Sequence, residues 1–251
     1  MFKISFKQLF KSTLLVSALA IPSTALATKV VFDTSEGSIE VNLFDNGTPK
    51  TVGNFLSYVN DGSYNDTIIH RSVPGFITQG GGFSFEGSLN LNKLPTKPSV
   101  INEPIYSNRR GTIAMAKLSG QPNSATNQWF FNLDNNQANL DVQNSGFTVF
   151  GQVIEGMDIV DNIASISLCN SVPMPNYNCG SGDVPGVENF ITISSITISD
   201  TSTDSASALN PVENTLIDGT GKNSTSDSGG STSLFTLFTL SLLILNRRRL
   251  N

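Results

Sequence analysis

Arg71 stands inside an alternating apolar stretch, residues 68–73, and that placement asks for an explanation. Burying a guanidinium is costly unless a partner or a reaction retains it. It can snorkel to the surface or pair with a carboxylate, or be kept for its five N–H donors. Close by, Phe76, Ile77 and Gln79 lie between Pro74-Gly75 and Gly80-Gly81-Gly82. His70 is the single histidine, so it is the first acid–base suspect. One histidine makes neither a Ser-His-Asp triad nor a His-based metal cluster. Cys169 and Cys179 are the only cysteines. Their spacing is not C-x-x-C and no histidine lies near, which disfavours redox catalysis and zinc. They are expected to form one disulfide closing a short loop.

Charge narrows the partners. Lys3, Lys7, Lys11 and Arg247, Arg248, Arg249 sit at the two ends of the 251-residue chain. Without those six, nine basic residues face twenty acidic ones, a net of −11. Such a surface repels phosphate backbones, so nucleic acid is not an expected partner. A length of 251 residues allows one ordinary domain plus terminal extras.

The elements around Arg71 follow from periodicity. Val30, Phe32, Ile39, Val41 and Leu43 alternate on either side of a turn at 34–37, a β-hairpin. Thr48-Pro49 then opens a helix with Val52, Phe55, Leu56 and Val59 on one face, and Asp61-Gly62 ends it. Strands are predicted at 68–73, 76–79, 111–116, 128–133, 148–154 and 190–198, with a second helix at 156–163 carrying Met157, Val160 and Ile163. Residues 83–108 and 167–188 are predicted loops. About eight strands and two helices, with no βαβ rhythm, suggest a mainly β fold, a closed eight-stranded antiparallel barrel capped by two α-helices, with a sandwich as the alternative from composition alone.

Four blocks carry a resemblance. They are residues 70–82 (HRSVPGFITQGGG), 111–116 (GTIAMA), 124–131 (SATNQWFF) and 147–151 (FTVFG). In this order and spacing they resemble the cyclophilin family of peptidyl-prolyl cis-trans isomerases, in particular its exported bacterial members, over about residues 29–199. The resemblance implies a barrel with the active groove on its outer face. Arg71 takes the position of the catalytic arginine, with Gln79 orienting it and Phe76 on the floor of the proline pocket. Ile77, Gln128, Phe130, Leu140 and Phe147 match the substrate-binding side chains. Ala116 and Lys117 match the strand edge that pairs with substrate backbone. His70 falls on the opposite strand face, in a structural role. No metal or cofactor is implied. Asn139, Trp129, Ile69 and Phe147 depart from the commoner residues of the family and leave the pocket rim less aromatic on one side.

The implied reaction is rotation about an Xaa-Pro amide, a barrier of about 18–20 kcal/mol. The alternative is a non-catalytic module on the same fold that grips proline segments. The expected partners are proline-containing, unfolded or partly folded exported proteins, and the expected state is monomeric.

The ends point outside the cytoplasm. Residues 1–27 combine lysines, an apolar run at 14–21 and Ala25-Leu26-Ala27, the pattern of a signal peptide. The mature domain is then 28–199. Residues 200–230 are rich in Ser, Thr, Asp and Gly and read as a disordered linker. Gly229-Gly230, an apolar run at 234–245 and the three arginines resemble the Gly-Gly sorting tails of Gram-negative bacteria, placed at 231–251. Twelve helical residues span only about 18 Å against about 30 Å of hydrocarbon. The expected location is the periplasm or cell surface, with inner-membrane contact through the tail.

Overall fold

The computed structural model describes residues 28–88, 90–201 and 209–217. The expected signal peptide and sorting tail lie outside the described residues, as does most of the expected linker.

The chain opens with the predicted hairpin, β1 (Lys29–Thr34) and β2 (Gly37–Leu43), in which Phe32 faces Ile39 and Val30 faces Val41. Helix α1 (Pro49–Asn60) follows. The strands after it are β3 (Thr67–Ile68), β4 (Arg71–Val73), β5 (Ile77–Gly80), β6 (Phe83–Ser84), β7 (Asn92–Lys93), β8 (Thr112–Met115) and β9 (Trp129–Asn132). A short helix α2 (Gln137–Leu140) precedes β10 (Val149–Glu155) and helix α3 (Met157–Ser165). The hairpin β11 (Leu168–Cys169) and β12 (Val172–Pro173) stands apart from the main sheet, and β13 (Thr192–Asp200) returns beside β1.

Among the described residues the strands are shorter and more numerous than the eight expected. The molecule is mainly β, with a curled, half-barrel sheet and few helices. Eleven strands are hydrogen-bonded in the order β4-β5-β9-β8-β10-β2-β1-β13-β3-β6-β7, with β4 and β7 at its ends. Among the described residues three α-helices are present rather than two, α2 being a single turn. The predicted strand at 68–73 is divided because its backbone changes partner. Ile69 N–H bonds Ile191 O (2.9 Å), and His70 N–H bonds Gln79 O (3.1 Å). Two of the short strands, β6 and β7, fall inside the predicted loop at 83–108.

The concave side holds the main core, with Phe32, Phe55, Tyr64, Trp129, Phe131 and Phe150 all fully buried. Their rings meet edge to face, Phe32 and Trp129 at 5.0 Å and Phe32 and Phe131 at 5.5 Å. Each such side chain contributes roughly 1.5–3 kcal/mol by leaving water. Helix α1 buries Val52, Phe55 and Val59 as its stripe predicts, together with Thr51 and Tyr58. Thr48 occupies the N-cap position but makes no capping bond. Glu103 caps the helix instead, accepting from Thr51 N–H (2.8 Å), Thr51 Oγ1 (2.8 Å) and Lys50 N–H (3.3 Å).

Residues 209–217, which composition assigns to a flexible linker, lie against the convex face. Tyr106 and Glu213 form an antiparallel bridge, and Leu209 packs on the outer apolar cluster. Composition marks these residues as polar but cannot see the loop edge that accepts their backbone.

Candidate functional site

Strand register puts the candidate residues on one face. Arg71 is paired with Gln79, Gln79 with Phe130, Phe130 with Ala114, and Ala114 with Val149, a single row across β4, β5, β9, β8 and β10. Directly opposed residues share a sheet face. The neighbouring row, Ser72, Thr78, Phe131 and Ile113, points the other way, into the core. The outer row is therefore a surface built from residues far apart in sequence.

One end of this surface is polar. Arg71 Nη1 donates to Gln79 Oε1 at 3.3 Å, and Gln79 Nε2 donates to Gln128 Oε1 at 2.8 Å. Burial disfavours the charged form and pulls the Arg71 pKa below its ordinary value, yet a guanidinium stays protonated at neutral pH. The glycine run makes room for this chain. A Cβ on Gly82 would stand 2.7 Å from Gln128 Cδ, and one on Gly81, whose φ is +79°, would stand 2.5 Å from Asn127 O.

The other end is apolar. Ile77, Phe130, Leu140 and Phe147 are buried in one outer cluster with Phe44, Ala114 and Val149. Phe76 and Ala116 are partly buried against it. Phe130 and Phe147 meet edge to face at 5.9 Å. Ala116 N–H donates to Gln128 O at 2.9 Å, which continues the strand edge past β8. Lys117 Nζ lies 4.9 Å from the Phe147 ring centroid and donates to Asn144 O and Gly146 O. Burial pulls its pKa down to about 8. Arg71, Gln79, Gln128 and Lys117 thus lie around the cluster that holds Phe76, Ile77, Ala116, Phe130, Leu140 and Phe147, while Cys169 and Cys179 lie apart from it.

Sequence reasoning missed what lies beneath. Asp141, 1% exposed, accepts from Ser107 Oγ (2.6 Å), Asn108 N–H (2.7 Å) and Asn108 Nδ2 (2.9 Å). Asn108 Nδ2 also donates to Phe147 O (3.1 Å). Asn132 Nδ2 donates to Asn108 Oδ1 (3.2 Å), and Asn136 Nδ2 donates to Asn132 Oδ1 and to Phe76 O, both at 2.8 Å. This network ties the backbone at Phe76 to that at Phe147 beneath the outer apolar cluster. The only sequence signal for it was the density of Asn and Asp at 132–141.

His70 stands at the polar end, edge-on to Phe83 at 4.8 Å. Burial pushes its pKa down to about 4, against a smaller opposing effect from a hydrogen bond to Gln128. Its Nδ1 is buried without a partner. A neutral, tightly packed ring of this kind agrees with a structural role. Cys169 and Cys179 form the expected disulfide, with Cα atoms 5.7 Å apart. The bridge closes the loop whose Ser171 carbonyl accepts from Ser72 N–H (2.7 Å), beside Arg71.

Residues 29–180 match the family described as cyclophilin type peptidyl-prolyl cis-trans isomerase/CLD. The chain belongs to the cyclophilin family. It is 44% identical over 154 residues to a peptidyl-prolyl cis-trans isomerase of Acinetobacter baylyi, covering 61% of this chain and 78% of the relative. It is 41% identical over 178 residues to peptidyl-prolyl cis-trans isomerase A of Dickeya dadantii, covering 68% and 90%. A solved cyclophilin type isomerase of Cryptosporidium parvum, determined with the dipeptide Ala-Pro, superposes with a TM-score of 0.52 at 24% identity. It covers 69% of this chain and 99% of its own, a likeness of fold. This cyclophilin is a peptidyl-prolyl cis-trans isomerase.

Proposed function

We propose that this cyclophilin assists the folding of exported proteins, and that Arg71 stabilises the twisted Xaa-Pro amide. The observation that carries the mechanism is the row Arg71, Gln79, Phe130 beside the apolar cluster of Phe76, Ile77, Leu140 and Phe147. This apolar cluster takes the proline ring. Ala116 N–H is already donated to Gln128, so a substrate strand pairs through the Ala116 carbonyl and the Lys117 backbone. Rotation breaks amide resonance, and the prolyl nitrogen becomes pyramidal and regains a lone pair. The guanidinium, oriented by Gln79 and Gln128, donates to the proline carbonyl and favours the twisted form over the planar one. No proton is transferred and no covalent bond forms, so the neutral His70 is not needed for the chemistry.

Export is supported by the disulfide and by the signal-peptide pattern of residues 1–27. The test of mechanism is Arg71→Ala, assayed on an Xaa-Pro peptide. A charge-assisted donor contributes about 1.5–3 kcal/mol, so the rate should fall at least about tenfold. A folded Arg71→Ala protein with full activity would refute the role. A wild type without activity on peptides, but binding proline segments, would favour the gripping module.

A further inference from the structure

We propose that residues 209–217 form a clasp that positions the apolar wall of the proline pocket, with Asn214 as its positioning residue. This rests on the assignment of Leu140 and Phe147 to that wall. The clasp lies beyond the 29–180 match to the family.

The backbone of the clasp pairs with the loop at 105–107. Ser107 N–H donates to Val212 O (2.8 Å), and Asn214 N–H donates to Ile105 O (2.7 Å). At its start Leu209 packs on the cluster that includes Phe130, Leu140 and Phe147. Both ends of the Asn214 amide are used. Nδ2 donates to Asp141 O (3.0 Å), and Oδ1 accepts from Leu216 N–H (3.0 Å). At the far end Ile217 closes over Gly146, where a Cβ would stand 2.6 Å from Ile217 Cδ1. The clasp therefore holds the wall segment at both ends, beside Leu140 through Asp141 and beside Phe147 through Gly146.

It also meets the buried network from outside. Ser107, paired with Val212, donates to the Asp141 carboxylate, and Asn108 links that carboxylate to Phe147 O. The wall segment needs such support because its own backbone is unfavourable. Asn144 and Ser145 sit at φ 51° and 60°, a region that residues with a Cβ rarely adopt. Contacts from outside the segment hold it there and so set where Leu140 and Phe147 stand.

The test is Asn214→Asp in the full chain. It keeps an acceptor for Leu216 N–H and replaces the donor facing Asp141 O with an oxygen. Losing one net hydrogen bond is worth about fivefold, so KM for an Xaa-Pro peptide should rise about fivefold while kcat stays within about twofold. The NMR signals of the Leu140 methyls and the Phe147 ring should shift with it. Glu213→Ala, on an exposed side chain of the same clasp, should change none of these. An unchanged KM with unmoved Leu140 and Phe147 signals overturns the proposal, and so does a fall in kcat alone. If Asn214→Asp does not fold, Leu209→Ala and Ile217→Ala are judged by the same criteria. Shifted Leu140 and Phe147 signals with an unchanged KM would uphold the clasp and remove those two side chains from the pocket.

Discussion

Gly82→Ala perturbs the hydrogen-bonded chain behind Arg71 without replacing any of its members. The φ of Gly82 lies outside the left-handed region, so alanine fits the backbone, and its carbonyl still accepts from Leu94 N–H at 3.0 Å. The new methyl would stand 2.7 Å from Gln128 Cδ and Nε2. These are the far atoms of a flexible side chain, so Gln128 swings away and the sheet does not. Gln79 then loses its 2.8 Å partner. A net hydrogen bond contributes about 0.5–1.5 kcal/mol, or roughly 2- to 13-fold in rate. The expected loss in kcat/KM is about fivefold. Stability should change by under about 1 kcal/mol, because replacing glycine lowers unfolded-state entropy by a similar amount. The assay is proline isomerisation beside thermal melting, with the Gln128 side-chain amide followed by NMR. Gln128→Leu should give the same loss, and the double variant should be no worse than either single one. Full activity with a displaced Gln128 amide, or additive losses in the double variant, would refute the positioning chain.

Three further outcomes follow from the geometry. His70 is neutral in the fold down to about pH 4 and titrates near 6.5 when unfolded. Stability should therefore be complete above about pH 6.5 and fall as pH drops towards 4, by about 3 kcal/mol in all; urea melts of His70→Gln should lose that slope. Glu103→Ala removes three bonds from the start of α1. It should destabilise by about 1–2 kcal/mol, lowering Tm by roughly 2–8 °C, and an unchanged Tm would show the cap to be idle. Gly53 lies in α1 with open space around its Cβ position, so Gly53→Ala should raise stability by about 0.5–1 kcal/mol with activity unchanged, read by the same melts.

Much of this protein is local and therefore legible. The β1–β2 hairpin follows from alternation about a short turn, and α1 from a proline start and an apolar stripe. Helix α3 begins one residue after the predicted 156, because Gly156 takes the cap with φ 82°. The blocks at 70–82 and 124–131 named the residues that the register brings into one row, since period-two alternation already assigns Arg71, Gln79 and Phe130 to alternate positions on their strands. Other features required partners that the local pattern does not contain. Glu103 caps a helix more than fifty residues upstream. The stretch at 68–73 divides because its backbone finds β13 on one side and β5 on the other. The floor of Asn108, Asn132, Asn136 and Asp141 is buried only because strands and loops converge there. Residues 209–217 read as polar linker until the exposed edge at 105–107 offers them backbone partners. Periodicity reports which way a side chain faces along its own element, whereas what it meets there depends on contacts distant in sequence, and only the folded chain brings those together.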